Sequence, residues 1–129
     1  MLNKEKLESF FVELNLSYEE KKKNVWVVFG EDKGLENVVI MLEDPIVIIR
    51  VKVMDMPKEN QCALYEEILR LNATDMIHGA YALEGSSVIL INTLLAATMD
   101  IEELQASIDA IGLALAQHYE KLAGFRKKN

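Results

Sequence analysis

The chain has 129 residues, half of them hydrophobic and 27% charged, and carries a formal net charge of -7. That length suits one domain with a real core, spanning residues 1–129, and the composition is too apolar for a disordered chain. The acidity argues against nucleic acid and anionic membrane as partners, since both attract clustered Lys and Arg, and the short runs Lys21–Lys23 and Arg126–Lys128 read as a solvated turn and a soluble tail.

Leu7, Phe10, Phe11 and Leu14 fall at i, i+3, i+4, i+7 and predict a first helix between Leu2 and Leu16. The charged stretch Glu19–Asn24 breaks that pattern, and Val25–Phe29 reads as a first strand. Gly30–Gly34 is a polar connection into a second strand, Val38–Leu42, which makes a hairpin. After Glu43-Asp44-Pro45, the segment Ile46–Met54 ends in the alternation of a half-solvated strand. Beyond Pro57, Leu64, Ile68 and Leu71 mark a second helix over Cys62–Leu71, with Asn72 as its expected end. Ala80–Leu83 and Val88–Ile91 are two short strands joined through Glu84–Ser87, and Ile91–Ala97 reads as an apolar loop. Asp100 with Glu103 has the form of a capping box, opening a long helix striped by Leu104, Ile108, Ile111, Leu115, Tyr119 and Leu122. The expected fold is therefore α+β, a single domain of order αβββαββα with an antiparallel sheet packed by helices.

Chemistry is thinly represented. The two histidines, His78 and His118, sit before a strand and within the last helix, where a loop position and a helix-boundary position explain them. Cys62 has no C-x-x-C context and reads as a small hydrophobe; as the one cysteine it has no internal disulfide partner. Neither nucleotide-phosphate glycine loop occurs, and the carboxylates lie where solubility and capping place them. No catalytic residue, cofactor or metal is expected, and the chain reads as non-enzymatic. Met1–Glu5 lacks the apolar core of a signal peptide, and Arg50, Lys52 and Asn92 interrupt the longest apolar stretches well short of the ~20 residues that span a bilayer. A cytoplasmic location is the expectation.

The strands Val25–Phe29 and Ile46–Ile49 are apolar on both faces although only three helices are available. Either the last helix and the first helix divide the two faces between them, or one face is left for a partner. Phe10, Phe11, Trp26, Val28, Ile48 and Met54 are the partner-binding candidates, being of types that interfaces favour or lying on those strands. On this reading Trp26→Ala or Phe10→Asp should weaken partner binding more than folding. The alternative is a regulatory domain sensing a small molecule in a pocket between the last helix and the sheet, near Tyr119 and Trp26.

The run Ile68-Leu69-Arg70-Leu71-Asn72, the segments Gly79–Gly85 and Val88–Ile91, and the helix start Asp100–Leu104 resemble the YbjN-like and type III secretion chaperone-like domains, including the Tir chaperones. The resemblance covers nearly the whole chain in element order. It implies a homodimeric, non-enzymatic domain that holds a client protein on hydrophobic patches. The dimer contact would then lie around Leu64, Ile68 and Tyr81, and the first helix with the first strands would offer the client surface.

Overall fold

The computed structural model describes residues 2–30, 35–76 and 78–126. Its elements are α1 (Lys4–Glu13), β1 (Ser17–Lys22), β2 (Val25–Gly30), β3 (Leu35–Glu43), β4 (Ile46–Asp55), α2 (Gln61–Thr74), β5 (Ala80–Glu84), β6 (Ser87–Leu95) and α3 (Ile101–Ala123). The three helices and the antiparallel sheet are those the sequence pattern implies, with one strand more than αβββαββα counts. The extra strand is β1, Ser-Tyr-Glu-Glu-Lys-Lys, whose residues are nearly all exposed. It pairs with β2 through its backbone and lies at the sheet edge, where charged side chains discourage pairing with other chains. A strand of this kind has no hydrophobic alternation to announce it. The Gly30–Gly34 connection falls largely outside the described residues.

Local chemistry sets the element ends. Asn3 caps α1 by accepting the Lys6 N–H at 2.8 Å. Asp100 and Glu103 make the full capping box of α3, each side chain bonded to the other's backbone N–H. The second helix does not end at Asn72 but continues to Thr74, Asn72 keeping a helical backbone while its side chain bonds the Tyr81 backbone. Gly79 stands at φ +83° with the carbonyl oxygen of Ile91 only 2.6 Å from where a Cβ would sit, so the entry to β5 admits glycine alone. The segment expected as an apolar loop is largely strand, since β6 runs through Leu95; its register with β4, from Ile46 opposite Leu95 to Asp55 opposite Ser87, uses the whole of both strands.

The sheet order is β1-β2-β3-β4-β6-β5, all antiparallel, with β1 and β5 at its edges. Residues directly opposite one another share a face. Trp26, Ile40, Ile49 and Asn92 thus form one row, and Val51, Leu90 and Tyr81 another. Both rows point at the helices. Phe11 of α1 stacks edge-on against Trp26 at 5.8 Å between ring centroids, Asn92 donates to Ser107 of α3 at 2.8 Å, and Tyr81 meets His118 of α3. Leu64, Ile68 and Leu71 of α2 join the same buried cluster. The helices therefore do not divide the two faces of the sheet: α1 and α3 both lie on one.

Candidate functional site

The opposite face is built by the alternate residues of the same strands. Val25, Val27 and Phe29 of β2, Val39 and Met41 of β3, Ile46 and Ile48 of β4, and Ile91 of β6 lie side by side there. All are half-buried, shielded by their neighbours in the sheet, and none belongs to the core cluster or packs against it. Leu95, 60% exposed, extends the patch at one end. Its polar members include Thr93, opposite Ile48, Arg50, ion-paired with Glu84, and Lys52, paired with Asp55 at 2.6 Å. An apolar sheet face of this breadth without a covering layer is uncommon in a chain that works alone.

A second apolar strip lies on the outer side of α2. Cys62, Tyr65, Leu69 and Ala73 recur at helical spacing on the face turned away from Leu64, Ile68 and Leu71, and line a shallow, mostly apolar groove with Glu66 and Arg70. Leu69 is 65% exposed. Arg70 bonds Glu66 one turn back at 3.0 Å, so the charged pair borders the strip without crossing it.

The structure redistributes the residues singled out above. Phe11, Trp26, Val28 and Met54 are buried in the chain's own core, and so are Leu64, Ile68 and Tyr81. The reason is parity: in β2, Trp26 and Val28 take the helix side, which leaves Val25, Val27 and Phe29 on the other. In the folded chain these seven side chains pack inward and offer little surface. Phe10 is half-buried at the core's margin, and Ile48 alone of the candidates lies on the open sheet face. Trp26 is locked further by its indole N–H, which donates to Glu8 at 2.9 Å. Tyr119 is exposed beneath the Arg126 guanidinium, 4.9 Å from the ring centroid, so it and Trp26 do not share a pocket. The residues missed were legible in principle, as the neighbours of Trp26 and Val28 in β2 and of Leu64 and Ile68 in α2.

His118 is not a boundary residue but a buried one, joined to Tyr81 and Asp75. Its Nδ1 lies 2.7 Å from the Tyr81 hydroxyl and its Nε2 3.1 Å from Asp75 Oδ2. An ionised carboxylate only accepts, so Nε2 carries a proton, and in the neutral ring Nδ1 then accepts from Tyr81. Burial, and after it the Asp75 charge, pushes the Tyr81 phenol up to about 12, which keeps the hydroxyl protonated as that donor requires. Asp75 is held below its ordinary value of 3.8, first by the Thr74 hydroxyl and then by His118. A depressed carboxyl contributes stability above its unfolded pKa and loses it as pH falls through the folded one. Wild type should therefore exceed Asp75→Ala in stability at pH 6, with the margin shrinking below pH ~4; urea titrations across that range measure it. Among the described residues no group of three or more His, Cys, Asp and Glu could hold a metal ion, and no helix is long and apolar enough to cross a membrane.

The family model CesT_Tir_1 matches residues 2–128. The chain belongs to that family. No curated protein matches the sequence. Among solved structures it is similar to YbjN from E. coli, at 12% identity and a TM-score of 0.69 over 93% of each chain. It is also similar to a chain in the complex of the Yersinia pestis type III secretion chaperone SycH with a fragment of YscM2, at 19% identity and 0.62, covering 86% of this chain and 94% of that one. A third is in the HopA1-SchA chaperone-effector complex, at 9% identity and 0.58, covering 95% and 91%. At such identities the likeness establishes the fold. It is the fold of the YbjN and secretion-chaperone structures, as the resemblance in element order implies.

Proposed function

We propose that this chain, acting as one domain, is a non-enzymatic chaperone or adaptor of the cytoplasm that holds a partner polypeptide on the open apolar face of its sheet. The observation that carries the reading is that face itself: alternate residues of β2, β3 and β4 form a largely apolar surface, bordered by Arg50 and Thr93 toward β6, while α1 and α3 cover the other side. Family membership supports it, and so do the similar structures of SycH with a fragment of YscM2 and of the HopA1-SchA chaperone-effector complex, in which a chaperone is held with a partner protein. A polypeptide laid over Val27, Val39 and Ile48 removes apolar area from water at roughly 25 cal/mol per Å².

The same reading makes the chain a homodimer joined through the outer strip of α2. Two copies of Tyr65 and Leu69 bury each other in an isologous contact, and the Glu66–Arg70 pair of each copy sits at its rim. Light scattering tests the dimer: wild type gives twice the chain mass, and Leu69→Asp gives the mass of one chain with unchanged circular dichroism, because Leu69 contributes nothing to the monomer core. Capture from the native cytosol tests the chaperone reading. A strictly monomeric wild type that retains no polypeptide would remove it.

A further inference from the structure

The outer strip of α2 serves a partner only if α2 is held in one place, and directional bonds add to what its apolar contacts supply. Leu64, Ile68 and Leu71 provide burial, which is non-directional and tolerates a helix that slides or rolls. The directional ties are gathered at the helix's C-terminal end. Asn72 donates through Nδ2 to the Tyr81 carbonyl at 3.1 Å and accepts the Tyr81 N–H through Oδ1 at 2.7 Å, taking the place of a neighbouring strand on the outer side of β5. The Tyr81 hydroxyl reaches His118 Nδ1 at 2.7 Å, His118 Nε2 reaches Asp75 Oδ2 at 3.1 Å, and Thr74 Oγ1 donates to Asp75 Oδ1 at 2.7 Å. Asn72 and Asp75 stand three residues apart at the end of α2, so the bonds close a ring: α2 to β5 at Asn72–Tyr81, β5 to α3 at Tyr81–His118, and α3 back to α2 at His118–Asp75. His118 is 1% exposed and is one of two buried polar residues among those described, the other being Ser107.

From this circuit we infer that Asn72, Asp75, Tyr81 and His118 act together as a lock that fixes the position of α2 against the sheet and so presents its outer strip. A ring of directional bonds selects one arrangement, because each buried member left without its partner is penalised and no member can shift without breaking two bonds. The lock's consequence for self-association rests on the dimer reading proposed above; the lock itself does not.

Tyr81→Phe removes one hydroxyl and leaves the ring in place, and His118→Leu removes the central link. Amide hydrogen exchange, read alongside Ile108→Val as a core variant outside the hydrogen-bonded ring, separates a lock from general destabilisation. Expected for both lock variants is exchange faster by roughly tenfold at residues 71–76 and at the position-81 amide, with Trp26 and Ile40 of the central sheet unchanged. Sedimentation should show self-association weakened by a similar factor, while Ile108→Val leaves it alone. Exchange that rises evenly along the chain, as in the core variant, or does not rise at all, overturns the lock. A local rise without loss of association overturns its role in presenting α2. A wild type that stays monomeric at every concentration defeats the dimer reading, and the exchange pattern then decides the lock alone.

Discussion

Trp26→Ala should cost about 3–5 kcal/mol of unfolding free energy, the range for deleting a large buried aromatic. The side chain is fully buried, packs edge-on against Phe11, and satisfies the Glu8 carboxylate through its indole N–H. Its removal leaves a cavity beneath α1, strips Glu8 of a donor and unseats Phe11, which holds Tyr18 of the edge strand at 5.3 Å. Urea denaturation followed by circular dichroism measures the loss, with the midpoint falling and the slope kept if the transition stays two-state. Partner binding should decline only as far as the folded fraction does. The expectation drawn from sequence, that this substitution would hurt binding more than folding, is thereby reversed: a residue under a helix reports on the core.

Ile48→Asp should show the opposite pattern. Ile48 stands on the open face between Met41 and Thr93, the residues opposite it in β3 and β6. A carboxylate there stands at the sheet surface and not in the core, so the loss of stability should stay well below that of Trp26→Ala, at about 1–2 kcal/mol. Against a bound polypeptide the same carboxylate is stranded in an apolar contact, and affinity should drop by at least roughly tenfold, as for a residue near the centre of an interface. Titration calorimetry with a polypeptide captured by the wild type, together with urea denaturation of the variant, reads both quantities. Unchanged affinity with unchanged stability would place the client on another surface.

Much of this architecture was legible in the chain. The spacing of Leu7, Phe10, Phe11 and Leu14, the Asp100–Glu103 capping box and the β-branched runs each name an element through short-range physics, and the elements observed lie close to those positions. The misses have a common cause. β1 is polar along its length and becomes a strand only because β2 offers it a backbone to pair with. β6 runs past Ile91 because β4 continues beside it to Ile46. Neither fact is local, so no window of sequence holds it.

The candidate site was legible in kind but not in place. Two-sided apolar strands in a chain with three helices implied a surplus of apolar surface, and the surplus exists. Which half was surplus depended on where α1 and α3 settle. By itself the sequence determined the acidity, the three helices and the apolar strands, and the absence of known phosphate-loop motifs, since these are properties of residue type and of neighbours within a turn or two. The tertiary structure decided that both helices take the same face, which buried Trp26 and Val28, left Val27 and Ile48 open, and carried His118 from an apparent helix boundary into a ring with Asp75 and Tyr81. Side-chain parity in a strand fixes which residues move together, and only the packing of distant elements decides which set meets water.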